Sequence, residues 1–436
     1  MSRPVPTPDS IFEQLLQDLP EEMGEKAREF KAFTRARKIQ TPAQLIRAVL
    51  LYSGLDYSER EVAANLLLSD ASLTSLSDQS VRERLEASQL WVKSLLPQMM
   101  DQHTMPELPS GLRLLVIDAS DVTAPGEKKA TFRLHVVMDL VSLQMVEVGI
   151  TDYKTGETLR NYKFAQGDVV MTDRGYCKGP GIVHAVMQGV DIVIRYNTHN
   201  FPLNDLTGHR LKLAAALAEA PEGSTTTIET SLKLPTGETR RAWIHAYHLG
   251  GEALAAARRR CRTGGKKRGY TPRAETLFLA EFVLILTTID PQVLSAETVL
   301  ALYRCRWQIE LLIKRWKSLL NLDRLRARSG SPLAEVWIYG KLLYALLLER
   351  RLRRRCGLEW GQLDSHRSTS WWRLWKLMQQ EIAPLISGAL FWSPSQWQAA
   401  LYAVTERRRK RCLQVIPPQA VAWLHNSQLE VLPLAA

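Results

Sequence analysis

From about Ser10 to Met100 apolar residues recur every three or four positions, the spacing of helices that bury one face. Thr41-Pro42-Ala43-Gln44 reads as a capping box with proline at the first helical position, and Leu45, Ile46, Val49 and Leu50 then share one face. Ser58 with Glu61 repeats the box before Val62, Leu66 and Leu67, and Ser77-Asp78 opens another helix through Val81 and Leu85. The last two helices fit a helix-turn-helix whose second member would offer Gln79, Ser80, Arg82, Glu83 and Arg84 to a major groove. The link between them is longer than the usual turn, and a plain helical bundle explains the same pattern.

The period changes at Leu112. Leu114-Leu115-Val116-Ile117 is a continuous apolar run, as expected of a strand covered on both faces, and it leads straight into Asp118. Two further strands are predicted over Phe132 to Met138 and Gln144 to Thr151, then a short helix-like piece over Glu157 to Phe164. Val169-Val170-Met171 leads into Asp173, and a helix from Ile182 to Gln188 precedes a strand from Asp191 to Tyr196. Three strands, helix, strand, helix and strand is the order of an RNase H-like α/β fold.

From about residue 197 to residue 274 that order is interrupted. Thr225 to Leu232 and Thr239 to His248 read as a hairpin across Leu234-Pro235-Thr236-Gly237, followed by a basic stretch from Arg258 to Arg268. Together they predict an inserted, mainly β subdomain. Leu277 to Thr287 is apolar again, Asp290-Pro291 breaks it, and one long helix is expected from about Ala296 to Leu320. The remainder reads as helical, with eight of the twelve tryptophans after Ser331, suited to a helical core or a subunit interface. The expected organisation is a helical N-terminal domain over residues 1–105, an RNase H-like domain with its insertion over 106–330, and a helical C-terminal domain over 331–436.

Charge narrows the choice of partner. Lys and Arg number 57 against 45 Asp and Glu, a formal charge of +12, so a polyanion is the first partner to consider. The five cysteines have neither zinc-site nor disulfide spacing, and a reducing cytoplasm is expected. Residues Met1 to Pro20 carry Asp9, Glu13 and Asp18 and lack a signal-peptide pattern, while Val336 to Leu348 is too short and too polar to span a bilayer.

The most specific chemical signal lies on the long helix. Tyr303, Arg306, Glu310 and Lys317 fall within an arc of roughly 60° on an α-helix, beside an apolar flank of Leu302, Ile309, Leu312, Ile313, Trp316 and Leu319. A solvated charged face is the plain alternative for any one such helix. The spacing Tyr, two residues, Arg, three residues, Glu, six residues, Lys resembles the signature of the IS-four family of insertion-sequence DDE transposases. Val116-Ile117-Asp118-Ala119-Ser120 resembles the family's first-Asp strand, with Ala119 where glycine is common, and Arg133-Leu134-His135 and Met171-Thr172-Asp173-Arg174-Gly175-Tyr176 resemble its next two blocks.

The resemblance implies that Asp118, Asp173 and Glu310 form a metal-binding triad, while Tyr303, Arg306 and Lys317 handle DNA phosphates. It also implies two Mg²⁺ ions, with Mn²⁺ able to substitute, double-stranded DNA at element ends and target, a homodimer on DNA, and a nucleoid-associated location. Two such ions need shared carboxylates, which strand ends beside a helix supply from fixed backbone. Other residues compete. Asp121 could replace Asp118 but fits a turn-capping loop acid, and Asp139 and Asp152 are explained by turn chemistry. His135 suits a hydrogen-bonded core position. Phe282 fits core packing or base stacking. The runs Arg350 to Arg355 and Arg407 to Arg411 are candidates for phosphate contacts outside the site, or solvated helix ends. A nuclease that does not join strands, and a DNA-binding regulator without catalysis, are the rival readings.

Overall fold

The computed structural model describes residues 8–69, 75–101, 113–356, 367–387, 405–407, 417, 419–420 and 423. Before the first strand come α1 (Pro8–Leu16), α2 (Met23–Glu29), α3 (Pro42–Val49), α4 (Glu59–Ser69), α5 (Asp78–Ala87) and α6 (Gln89–Asp101). The Ser58 capping box forms in full, and at Thr41 the N-cap bond forms while the Gln44 side chain accepts from the Gln40 amide at 2.6 Å. The Thr41 hydroxyl accepts from the Gln44 amide at 3.1 Å, and the Ser58 hydroxyl and Glu61 carboxylate accept from each other's amides at 3.3 and 2.6 Å. These bonds satisfy donors that a helix start leaves unpaired. On α5, Val81 and Leu85 are buried while Gln79, Arg82 and Glu83 are exposed, so the face expected to read DNA is turned outward.

β1 (Arg113–Val122), β2 (Phe132–Asp139), β3 (Met145–Asp152), β4 (Asp168–Thr172) and β5 (Asp191–Arg195) follow, with α7 (Gly179–Met187) between the last two. β2 runs antiparallel to β1 and β3, and β4 runs parallel to β1 and β5. Strand residues alternate between faces, so Leu114 and Val116 enter one core and Leu115 and Ile117 another. That double burial is why the run reads as uninterrupted apolar sequence. The helix-like piece after β3 is a single 3-10 turn, Leu159–Asn161.

The interrupting region holds α8 (Leu213–Ala216), β6 (Thr225–Lys233), β7 (Thr239–His248) and α9 (Gly251–Lys267), and α10 (Ala274–Leu279) and β8 (Phe282–Thr287) come next. Two expectations need correction. The hairpin makes no sheet of its own: β7 pairs with β8 and β8 with β5, giving one eight-stranded sheet ordered β3-β2-β1-β4-β5-β8-β7-β6. Nor is the region mainly β, because the basic stretch belongs to the 17-residue α9, which with the 4-residue α8 holds more residues than the 9- and 10-residue hairpin strands together. Its Ala and Arg residues favour helix strongly enough to carry Gly264 and Gly265 within it.

The long helix expected from Ala296 is two, α11 (Ala296–Cys305) and α12 (Trp307–Leu320), joined at Arg306. There the Arg306 amide donates to the Tyr303 carbonyl and the Ile309 amide to the Arg306 carbonyl, the tighter spacing of a 3-10 turn. α13 (Pro332–Cys356), the pair β9 (Arg367–Thr369) and β10 (Thr405–Arg407), and α14 (Trp371–Ser387) complete the described elements. α13 is buried along most of its length, in one contiguous core with the N-terminal helices, one face of the sheet and α14. Among the described residues no helix is long and apolar enough to cross a membrane.

Close approach dictates the residues at the centre of that core. A Cβ on Gly340 would lie 2.6 Å from the Ser53 Cβ, and the next residue, Lys341, is fully buried with its ammonium 2.7 Å from Asp56. Burial lowers the Lys341 pKa to about 8 against the pull of Asp56. Asp56→Ala is expected to destabilise the protein by about 3–5 kcal/mol, since it strands a buried cation. Adding Lys341→Met should recover much of that loss in denaturant unfolding, and a double variant no more stable than the single one would contradict the assignment.

The run Arg350 to Arg355 is also corrected. Arg351 and Arg354 pair with buried Asp18 at 2.8 and 2.5 Å, and Arg351 and Arg355 with buried Glu381 at 3.2 and 2.8 Å. Arg350 and Arg353 donate to the carbonyls of Asp18 and Ser142 at 2.5 and 2.8 Å. These arginines tie α1 and α14 to α13 and are not a free phosphate-binding surface. Of the second run, residues 408–411 lie outside the described residues.

Candidate active site

Asp118 sits inside β1, not at its end. β1 pairs with β4 only as far as Val116↔Met171 but with β2 as far as Val122↔Phe132, so Asp118 stands just past the point where β1 and β4 separate. Alternation puts its side chain on the face of Leu114 and Val116, the face that α12 covers. Asp173 immediately follows β4 and caps a one-turn 3-10 helix, accepting from the Gly175 amide at 2.8 Å. Glu310 projects from the first turn of α12, above buried Ile309, Leu312, Ile313, Trp316 and Leu320.

The three carboxylates share one electrostatic environment. Asp118 is pushed up to about 7, first by burial, with Asp173 and Glu310 adding to the rise; the Ala119 amide at 2.9 Å and Arg306 oppose it. Arg306 pairs with Glu310, stands 4.0 Å from the Asp118 Oδ2, and lies 5.8 Å over the Tyr303 ring. The structure therefore sets Arg306 beside Asp118, Glu310 and Tyr303, with Asp173 and Glu310 near enough to Asp118 to act on its charge. Lys317, two helical turns beyond Glu310, is half-buried on α12. Among the described residues no three acids, histidines or cysteines are close enough together to hold an ion, and Arg306 lies between two of the expected ligands.

Two neighbours escaped the sequence reading. Arg195, the last residue of β5, donates to the Phe282 carbonyl at 3.4 Å, and burial lowers its pKa while Tyr303 opposes the shift and Arg174, Arg260 and Arg306 reinforce it. Glu157 reaches beside Asp173: a Cβ on Gly175 would lie 2.7 Å from its Oε2 and 3.1 Å from the Asp173 Oδ1. Burial, then Asp173, raises the Glu157 pKa. Neither residue has a signature spacing, Arg195 ending an ordinary apolar strand and Glu157 lying in a loop; only the Gly175 contact, invisible in sequence, ties Glu157 to the site.

The competing residues resolve as follows. Asp121 is no loop acid: it lies within β1 opposite Arg133 and pairs with it at 3.1 Å. Asp139 accepts from the Ser142 amide at 2.6 Å, and Asp152 from the Lys154 and Thr155 amides at 2.9 and 3.0 Å, as turn chemistry requires. His135 is buried between the Thr151 and Tyr162 hydroxyls. Phe282 is buried, stacked on His248 with ring centroids 4.2 Å apart, as a core residue.

Comparison with known proteins bears on this arrangement directly. Residues 109–346, from just before β1 into α13, match the transposase DDE domain family. The chain belongs to that family. It is similar to the putative transposase InsL for insertion sequence element IS186A of Escherichia coli (strain K12), 32% identical over 336 residues, which are 76% of this chain and 90% of the relative. The transposase for insertion sequence element IS421 of Escherichia coli is 33% identical over 337 residues, with the same two shares. The transposase for insertion sequence element IS231F of Bacillus thuringiensis subsp. israelensis is 23% identical over 367 residues, 75% of this chain and 76% of the relative. The matched span of the DDE domain contains Asp118, Asp173 and Glu310 together with Arg306 and Lys317.

Proposed function

We propose that this protein is the transposase of an insertion sequence, cutting and joining phosphodiester bonds at the ends of its own element. The observation that carries the reading is the match of residues 109–346 to the transposase DDE domain family, a span in which Asp173 and Glu310 both act on the charge of Asp118. The β3-β2-β1-β4-β5 order supports an RNase H-like core, extended past β5 by β8 and then by the hairpin of residues 197–274, with helical segments on either side. Membership of the family implies divalent metal, and a donor set of three carboxylates suits Mg²⁺ or Mn²⁺ better than softer ions.

Asp118, Asp173 and Glu310 would hold the ions. When bound, a pair of such ions activates the attacking water or 3′-hydroxyl and stabilises the leaving oxygen. Asp118 must then be ionised, and a nearby divalent charge favours that form. Arg306 holds Glu310 by an ion pair, and its planar guanidinium suits a phosphate as well as a carboxylate. Tyr303 offers a hydroxyl beside Arg306, and Lys317 a flexible point charge further along the helix. Element ends and target are double-stranded DNA, and holding two ends at once favours a homodimer on DNA. The test is nicking of a duplex carrying the inverted repeats that flank the gene: cleavage at the repeat boundary with Mg²⁺ or Mn²⁺ supports the reading, and cleavage unaffected by chelation overturns it.

A further inference from the structure

Among the described residues, exposed cations without a carboxylate partner are most numerous on one helix, with smaller groups at Arg35, Arg37 and Lys38 and at Arg324, Arg326 and Arg328. On α9, Arg259, Arg260, Arg262, Lys266 and Lys267 are exposed and form no ion pair among the described residues, and Glu252 is the only acid on the helix. Like charges three and four residues apart on a helix repel, as Arg259 and Arg262, or Arg262 and Lys266, must here. A polyanion laid along the helix removes that repulsion. The contrast with α13 is direct, because the arginines of α13 are held by Asp18 and Glu381.

The position of α9 is fixed relative to the active site. Arg258 pairs with buried Glu281 at 2.8 Å, one residue before Phe282, and the Phe282 carbonyl accepts from Arg195. Tyr303, Arg306 and Arg260 are each near enough to Arg195 to act on its charge. A line of cations thus runs from the catalytic helix across the end of β5 to α9. Only Leu254 and Gly265 of α9 are buried, so its solvent-facing arginines are not needed for packing.

We propose that α9 is a phosphate-binding rail on which the DNA duplex adjoining the scissile phosphate lies, held by Arg259, Arg260, Arg262, Lys266 and Lys267. The proposal rests on the transposase reading and adds the surface that carries the duplex. Contacts of this kind ignore base sequence and act by releasing counterions, so each contributes about 0.9 to the slope of log affinity against log salt.

The test uses the full chain and a fluorescent duplex of arbitrary sequence, titrated at several salt concentrations. Arg259→Gln, Arg260→Gln and Arg262→Gln combined should make the slope shallower by about two to three and weaken low-salt binding at least about tenfold. The matching triple lysine variant should restore both. A glutamine variant with the wild-type slope, or a lysine variant as impaired as the glutamine one, overturns the rail. Metal-dependent nicking by the wild-type protein is measured in parallel. Nicking together with an unchanged slope removes the rail alone, whereas absence of nicking removes the underlying reading.

Discussion

Asp118→Asn, Asp173→Asn and Glu310→Gln are each expected to reduce metal-dependent nicking of an element end by about a thousandfold or more, because residues that act as one unit fail together. Binding of that end should survive, since the cations that grip phosphate remain. Asp118→Asn carries a second signature. Its carboxyl is raised from the ordinary 3.8 to about 7, so as pH climbs through that window the unfolded chain releases its proton before the folded one does. Stability contributed by Asp118 is therefore lost with rising pH, and the non-titrating Asn escapes the loss. The melting temperature of Asp118→Asn, measured without metal, should exceed the wild type by an amount that grows from pH 4 to pH 7, at about 2–4 °C per kcal/mol. Normal nicking by any of the three variants removes that residue from the triad, and a destabilised Asp118→Asn contradicts the charge environment described for it.

Lys317→Ala and Arg306→Ala should fail at different steps, although their spacing alone makes them one clamp. Arg306 pairs with Glu310 and stands 4.0 Å from Asp118, so its loss frees a carboxylate as well as a phosphate contact. Arg306→Ala is expected to lower the first nick and the later joining step alike, by about a hundredfold or more for a displacement of about 1 Å at the reacting centre. Lys317 lies beyond that ion pair. Lys317→Ala should keep the first nick and accumulate nicked product, because gripping the moving strand matters most after the first cut, and Tyr303→Phe should show a milder form. A time course on a labelled end separates the species. Equal loss at every step in Lys317→Ala and Arg306→Ala would return both to simple DNA binding or folding.

The elements that carry the candidate site were legible because they follow patterns that backbone geometry imposes, while the choice of residues on them came from the family resemblance. An apolar run buried on both faces announced β1 and led to Asp118; another did the same for β4 and Asp173; the helical spacing of Tyr303, Arg306 and Glu310 survived even the 3-10 turn at Arg306. The misses share a different cause. That β7 pairs with β8 and β8 with β5 is a long-range choice that a hairpin's own sequence does not encode, so the shared sheet could not be read locally. The partners of Arg351, Asp18 and Glu381, lie 333 and 30 residues away, and a basic run looks the same in sequence whether it is exposed or neutralised. Glu157 comes beside Asp173 through a close approach across Gly175, which no local pattern encodes.

The most direct measurement is a strand-transfer assay with the purified full chain, a labelled duplex carrying the flanking inverted repeat, and a circular target, run with Mg²⁺, with Mn²⁺ and with chelator. Transposase function predicts a nick at the repeat boundary and covalent joining of the element's 3′ end to the target. Both should require metal and both should vanish in Asp173→Asn. Cleavage without joining under conditions where the nicked end stays bound, or joining that persists in Asp173→Asn, would contradict it.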